Sequence, residues 1–134
     1  MAPSEPQEII LIDDEPTIVG VLTRVLATRP GFQPRGFTES AAALHWLGEH
    51  TPALVITDHL MPGPSGVDVA RALRLQSSTR DVPILMLTGA IDAALEEEAR
   101  SIGINRLAHK PLRIDELLGH IDELLESNHQ LRLF

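Results

Sequence analysis

Residues that could bind a metal or a phosphoryl group stand at the ends of short apolar runs in this 134-residue chain. Asp13 and Asp14 end one run, Asp58 ends another, Thr88 ends a third, and Lys110 follows a fourth. Carboxylates suit a hard dication such as Mg²⁺, which keeps several waters free for exchange with a phosphate. A hydroxyl and an ammonium group can bind phosphoryl oxygens. Together these residues could support attack by a carboxylate on phosphorus, which gives an aspartyl phosphate.

The elements that must position these residues follow from the hydrophobic pattern, which predicts strands that alternate with amphipathic helices. The predicted strands are 8–13, 32–37, 53–58, 84–87 and 105–109. Parallel strands need crossover connections, so strict alternation predicts an α/β fold, a doubly wound parallel sheet with helices on both faces. Ligands bind beyond the carboxyl ends of such strands. We therefore expect all five polar residues at one edge of one sheet.

Taken singly, each of these residues has a simpler explanation. Asp13 and Asp14 could begin a helix, where acids favour the helix dipole. Asp58 could begin a turn, Thr88 could belong to an ordinary loop, and Lys110 could be an exposed cation. However, ten of the eleven basic residues are arginine, which leaves Lys110 as the only lysine. Separate explanations do not predict that all five residues share one sheet edge.

Two finer expectations concern helix two and the residue after Asp58. Thr38 is a suitable cap for helix two, whose inner face we expect to carry Ala41, Leu44 and Leu47. His59 stands next to Asp58 and could contact the site, but we expect it to be an exposed loop histidine.

Composition limits the classes of protein to which the chain can belong. Its length fits one domain, and its 43% hydrophobic and 22% charged residues are typical of a globular protein. No apolar run approaches the roughly 20 residues of a membrane span, and the opening residues do not form a secretory signal. The absence of cysteine is compatible with the cytoplasm. A net charge of −8 argues against direct nucleic-acid binding.

These residues and their spacing resemble the receiver domain of two-component response regulators, over about residues 8–127. In that family an acidic pair follows strand one, an acceptor Asp ends strand three before Met-Pro and a later Gly, Thr or Ser ends strand four, and Lys-Pro ends strand five. The matching positions are Asp13, Asp14, Asp58, Met61, Pro62, Gly66, Thr88, Lys110 and Pro111.

The resemblance implies a flavodoxin-like sheet of order 2-1-3-4-5 and a Mg²⁺ site. Asp14, Asp58 and the backbone carbonyl of Leu60 would bind Mg²⁺ directly, and Asp13 would act through water. The bond between Lys110 and Pro111 would be cis.

The resemblance also implies a function and its residues. Asp58 would accept a phosphoryl group from a histidine kinase or a phosphotransfer protein, and Thr88 and Lys110 would bind that group. The chain would be a cytoplasmic signalling switch that catalyses only its own phosphorylation and dephosphorylation. It would act on a downstream protein or a fused output domain. Residues 1–7 would be a flexible segment, and residues 128–134 a tail or the start of a linker.

Several positions depart from the family pattern. The switch position three residues before the lysine usually carries Phe or Tyr, and here it is Leu107. Arg106 replaces an acid of many dimerising members, and Leu112 replaces a frequent aromatic residue. Neither Leu60 nor Ala90 has a side chain that could orient an attacking water, so we expect a slowly hydrolysed aspartyl phosphate.

Two alternative functions remain open. Leu107 leaves room for a receiver-like scaffold that signals by binding alone, without phosphorylation. A Mg²⁺-dependent phosphohydrolase with an aspartyl intermediate is the other alternative. Enzymes of the haloacid dehalogenase type carry Asp-x-Asp after strand one, whereas Asp13 and Asp14 are adjacent, and no cap domain is evident.

Overall fold

The computed structural model describes residues 5–132, with side-chain surroundings described for residues 5–126. Strands and helices alternate along this part of the chain, and the bounds of the predicted strands are correct to within one residue. The elements are β1 Gln7–Ile12, α1 Pro16–Ala27, β2 Phe32–Phe37, α2 Ser40–Leu47, β3 Leu54–Asp58, α3 Gly66–Leu75, β4 Ile84–Thr88, α4 Ala93–Ile102, β5 Arg106–His109 and α5 Ile114–Arg132.

The strands form a parallel sheet of order β2-β1-β3-β4-β5, which confirms the predicted fold class. Strand β3 lies at the centre and is buried along its whole length. Its neighbours are β1, which pairs Ile12 with Thr57, and β4, which pairs Leu87 with Asp58. The chain therefore delivers the ends of β1, β3 and β4 side by side at one edge.

The core has two parts, because successive side chains of a strand point to opposite faces of the sheet. On one face, Ile10 and Val55 pack with residues of α2, α3 and α4. On the other face, Ile9 and Ile56 pack with residues of α1 and α5. Helices thus cover both faces, as the parallel pairing requires.

The ends of the helices near the carboxyl edge are fixed by local hydrogen bonds. Helix α3 begins in a capping box, in which Ser65 Oγ accepts from Asp68 N and Asp68 Oδ2 accepts from Ser65 N. The N-cap of helix α4 is Asp92, whose Oδ1 accepts from Leu95 N at 2.8 Å. Its C-cap is Gly103, which has a φ of 98°, a conformation that favours glycine.

The expectation for helix two is partly wrong. Glu39, not Thr38, stands at the N-cap, and no side chain caps the helix. The buried residues are Ser40, Ala43 and Leu47, whereas Ala41 is exposed. A run of three alanines does not define a face of the helix, so the hydroxyl of Ser40, which donates to Pro64 O at 2.6 Å, selects the buried side instead.

The predicted end segments lie only partly within the described residues. Strand β1 begins at Gln7, and α5 continues to Arg132, into the range for which we expected a tail. Residues 1–4, 133 and 134 lie outside the described part of the chain.

Candidate functional site

Three carboxylates converge at the carboxyl edge of the sheet, as the sequence predicted. Oxygen atoms of Asp13, Asp14 and Asp58 lie within 4.8 Å of one another. Pairing of β1 with β3 brings the residues after Ile12 beside Asp58. Asp13 is 5% exposed and Asp58 8% exposed, while Asp14 is open to solvent. Like charges at this separation repel, and partial burial strengthens the repulsion.

Lys110 lies against two of these carboxylates. Its Nζ donates to Asp58 Oδ1 at 3.1 Å and to Asp13 Oδ2 at 3.3 Å. Desolvation opposes the charge on the ammonium group, but the hydrogen bond to Asp58 and the charges of Asp13 and Asp58 outweigh it, so the pKa of Lys110 is raised. The lysine therefore stays charged and offsets part of the negative charge.

The backbone at Lys110 matches the expectation from the sequence. The bond between Lys110 and Pro111 is cis. Lys110 N donates to the carbonyl of Thr88 at 2.8 Å, which continues the pairing of β4 with β5. The only lysine of the chain thereby reaches the acidic cluster from the neighbouring strand end.

The donor set fits a hard dication. Three carboxylates face one ammonium group, so net negative charge remains in the cluster. Mg²⁺ prefers oxygen ligands and commonly takes one or two carboxylates together with waters or phosphate oxygens. Asp14 is exposed, which leaves room for such waters. The acidic pocket can therefore bind a metal ion.

The Thr88 hydroxyl lies at the end of β4, as predicted, and is hydrogen-bonded within the protein. The residue is 4% exposed. Its Oγ1 donates to Ala90 O at 3.2 Å and lies 3.2 Å from His59 Nδ1. A weaker contact of 3.4 Å comes from Ala90 N. The hydroxyl is thus held by the loop that leads from β4 to α4.

His59 is not the exposed loop residue that the sequence suggested. It is half-buried, and its backbone N donates to both Leu87 O at 2.9 Å and Asp58 Oδ1 at 3.0 Å. Its ring contacts the Thr88 hydroxyl. The available signal was the strand register, since His59 and Thr88 both follow directly after the paired residues Asp58 and Leu87.

The loop after β3 is held close to the site. Gly66 N donates to His59 O at 2.7 Å. A β-carbon on Gly66 would overlap the Asp58 carbonyl oxygen, so glycine is required by a close approach of backbone segments. Within this loop the Leu60 side chain is 73% exposed, and its carbonyl remains a predicted metal ligand.

Leu107 lies on β5, where it pairs with Met86 of β4. It is half-buried and packs against the core on the α2, α3 and α4 face of the sheet. It also lines a surface cavity of about 490 Å³, together with Ile91 and Ala99. Its neighbour Arg106 donates to Glu123 at 2.6 Å, which ties β5 to α5.

Fold and site together define a parallel α/β protein with an acidic site where the strand order reverses. The chain belongs to the response regulator receiver domain family, whose model matches residues 9–122. No helix in the part of the chain that the structure describes is both long and apolar enough to cross a membrane.

Curated relatives include longer regulators of different kinds. The chain is 34% identical over 122 residues to the DNA-binding response regulator MtrA of Mycolicibacterium smegmatis, which covers 91% of this chain and 52% of MtrA. It is 30% identical over 123 residues to the cyclic di-GMP phosphodiesterase response regulator RpfG of Xanthomonas campestris, covering 91% of this chain and 32% of RpfG. The chain thus spans about half the length of MtrA and a third of RpfG.

Solved structures support the fold. The chemotaxis protein CheY4 of Vibrio cholerae superposes with a TM-score of 0.83 at 24% identity, covering 89% of this chain and 98% of CheY4. This likeness shows a shared arrangement of strands and helices, and agrees with the sheet order found here.

Proposed function

We propose that this chain is the phosphoacceptor switch of a two-component phosphorelay and that Asp58 is the residue that is phosphorylated. The observation that carries the proposal is the convergence of Asp58 with Asp13, Asp14 and Lys110 at one edge of the sheet. Membership of the receiver family supports it. The donor would be a phosphohistidine of a kinase or of a phosphotransfer protein.

In the proposed reaction an oxygen of Asp58 attacks phosphorus. A new bond forms between that oxygen and phosphorus, while the bond from phosphorus to the donor nitrogen breaks and its electron pair leaves with the imidazole. An ionised carboxylate needs no general base, because it has no proton to lose. Such transfer depends mainly on positioning and on charge neutralisation.

Charge neutralisation falls to a bound dication and to Lys110. Asp14, Asp58 and the Leu60 carbonyl would hold Mg²⁺, with Asp13 acting through water. When bound, the ion would neutralise charge on the phosphoryl oxygens. Lys110 Nζ, at 3.1 Å from the attacking carboxylate, would meet a phosphoryl oxygen. Thr88 would donate its hydroxyl to another phosphoryl oxygen.

Incubation with acetyl phosphate and Mg²⁺, followed by intact mass measurement, tests this proposal. We expect one added phosphoryl group on the wild type and none on Asp58→Ala. Equal labelling of both proteins, or an unlabelled wild type, would sink the proposal. Glu49→Gln is a matched control that removes one exposed charge outside the site, and it should be labelled like the wild type.

Leu107 favours one second candidate, a scaffold that signals without phosphorylation. The aromatic residue that would move on phosphorylation is replaced by a half-buried leucine that packs on the core. An unlabelled wild type would support this candidate. Turnover of phosphomonoesters would instead support a Mg²⁺-dependent phosphohydrolase, and we expect no such turnover because the proposed reaction is only the chain's own phosphorylation and dephosphorylation.

The proposal includes the setting of the switch. Residues 8–127 would form the receiver domain, which β1 extends to Gln7 and α5 continues to Arg132. The output would be a downstream protein or a fused domain, because MtrA and RpfG are longer than this chain and have different outputs. The chain itself would work in the cytoplasm and, with a net charge of −8, would not bind nucleic acid.

A further inference from the structure

The residue after the phosphoacceptor has a contact that the proposed reaction does not use. The His59 ring lies 3.2 Å from the Thr88 hydroxyl, through Nδ1. The β3–β4 register explains why: Asp58 pairs with Leu87, so His59, directly after the end of β3, is the neighbour of Thr88, the last residue of β4. The contact is therefore built into the sheet.

The backbone of His59 is fixed on both sides. Its N–H is shared between Leu87 O and Asp58 Oδ1, and its carbonyl accepts from Gly66 N at 2.7 Å. Consequently the ring projects from an anchored position, and a half-buried side chain with an anchored backbone has few alternative orientations. His59 can therefore hold what it contacts.

The hydrogen-bond roles at Thr88 follow from the number of protons available. A hydroxyl has one proton to donate, and Thr88 Oγ1 donates it to Ala90 O at 3.2 Å. In this arrangement the hydroxyl oxygen accepts from the ring, which requires the tautomer of His59 that carries its proton on Nδ1. Both bonds hold the hydroxyl in the orientation that bonds the loop after β4.

We propose that His59 is a positioning residue that keeps the Thr88 hydroxyl bonded to the Ala90 carbonyl and so opposes its engagement with a phosphoryl group on Asp58. This inference rests on the proposed phosphorylation of Asp58. Thr88 can donate its one proton to a phosphoryl oxygen only after releasing Ala90 O. His59 thereby sets how easily Thr88 leaves its contacts with Ala90 O and the His59 ring.

The test uses fluoroberyllate with Mg²⁺ as a mimic of the phosphoryl group, and measures its dissociation constant by NMR titration. Loss of the His59 hydrogen bond in His59→Phe should tighten binding by roughly two- to tenfold, the size expected for one neutral hydrogen bond. His59→Asn should bind like the wild type, because its amide nitrogen is separated from Cα by the same number of bonds as Nδ1. Weaker or unchanged binding by His59→Phe would overturn the inference.

A double-mutant cycle separates positioning from a general effect on structure. With the hydroxyl absent in Thr88→Ala, the further change His59→Phe should leave the affinity unaltered, because the two residues act through one contact. The same gain in both backgrounds would overturn the inference. His59→Ala repeats the comparison should His59→Phe fail to fold.

Failure of this inference and failure of the proposed function give different results. If the wild type binds fluoroberyllate, Asp58→Ala does not, and His59→Phe equals the wild type, only the role of His59 is wrong. If the wild type and Asp58→Ala are equally unresponsive, both proposals fall.

Discussion

At the scale of residues, the site holds three carboxylates and one ammonium group, so it carries more negative than positive charge. Asp13 and Asp58 are nearly buried, and one ammonium group serves both of them. Asp14 adds a further negative charge from the solvent side. A bound dication should therefore stabilise the folded chain, since a ligand that binds only the native state raises its free energy of unfolding.

Mg²⁺ should raise the midpoint of thermal unfolding, and Asp14→Asn should reduce that rise. At a Mg²⁺ concentration of 100 times its dissociation constant, the gain in the free energy of unfolding is about 2.7 kcal/mol. Differential scanning calorimetry with and without Mg²⁺ measures it. Glu49→Gln removes the same charge elsewhere and should respond like the wild type, and an equal response from Asp14→Asn would contradict the proposed site.

The lifetime of the aspartyl phosphate should depend on Leu60. Leu60 is 73% exposed and its side chain cannot orient a water molecule, and the side chain of Ala90 has no polar group either. Leu60→Gln adds an amide that can hold an attacking water, and one hydrogen bond corresponds to roughly two- to tenfold in rate. We expect faster loss of the phosphoryl group, measured by intact mass after removal of the donor.

The matched control for this prediction is Leu75→Gln, which makes the same change at an exposed leucine on α3 outside the site. Its phosphoryl lifetime should equal that of the wild type. A wild-type lifetime as short as seconds would refute the expectation of slow hydrolysis, and an unchanged lifetime in Leu60→Gln would refute the role of this position.

At the scale of elements, the carboxyl edge depends on a close approach between α3 and the end of β3. Gly66→Ala should destabilise the fold by roughly 1–3 kcal/mol, the range for overpacking. The added carbon would overlap the Asp58 carbonyl and lie 3.0 Å from Met86 Sδ. Chemical denaturation measures the change, and acetyl phosphate labelling should fall as well because Asp58 must shift.

Gly119→Ala provides the contrast, since a β-carbon there meets nothing within 4 Å and the residue lies inside α5. Replacing a helical glycine by alanine in open space should stabilise by about 0.5–1 kcal/mol. Destabilisation of both variants to the same extent would mean that the contact with Asp58 is not the cause.

The sequence predicts the strands and helices well because their hydrophobic periodicities are strong. It does not predict which side chains are buried where contacts between elements determine the burial. The order of strands and helices, the Asp13, Asp14 and Asp58 cluster and the position of Lys110 follow from strand ends that share one edge. The buried face of α2 does not, because Ser40 is selected by its bond to a loop distant in sequence. The role of His59 likewise depends on the register between two strands, which neither strand reveals alone.

At the scale of the whole molecule, the question is how an event at Asp58 reaches a partner. One connected route is short: the Thr88 hydroxyl bonds to Ala90, and two residues later Asp92 caps α4. The aromatic residue that the family usually carries on β5 is replaced by Leu107, which packs on the core. A route through a moving aromatic side chain is therefore absent at this position. Movement of Thr88 should therefore act on the loop after β4 and the first turn of α4.

Fluoroberyllate with Mg²⁺ should accordingly change amide hydrogen exchange most strongly in residues 88–95, because release of Ala90 by Thr88 loosens the loop that precedes Asp92. The part of α5 around Leu118–Leu125 should change little, since Arg106 and Glu123 tie β5 to α5 at 2.6 Å independently of Thr88. Asp58→Ala is the control and should show no change in either region. A response in α5 equal to that in α4 would mean that β5 transmits the signal despite Leu107. A wild type that binds fluoroberyllate without any change in amide exchange of residues 88–95 would rule out the proposed route. That result would favour signalling by binding alone.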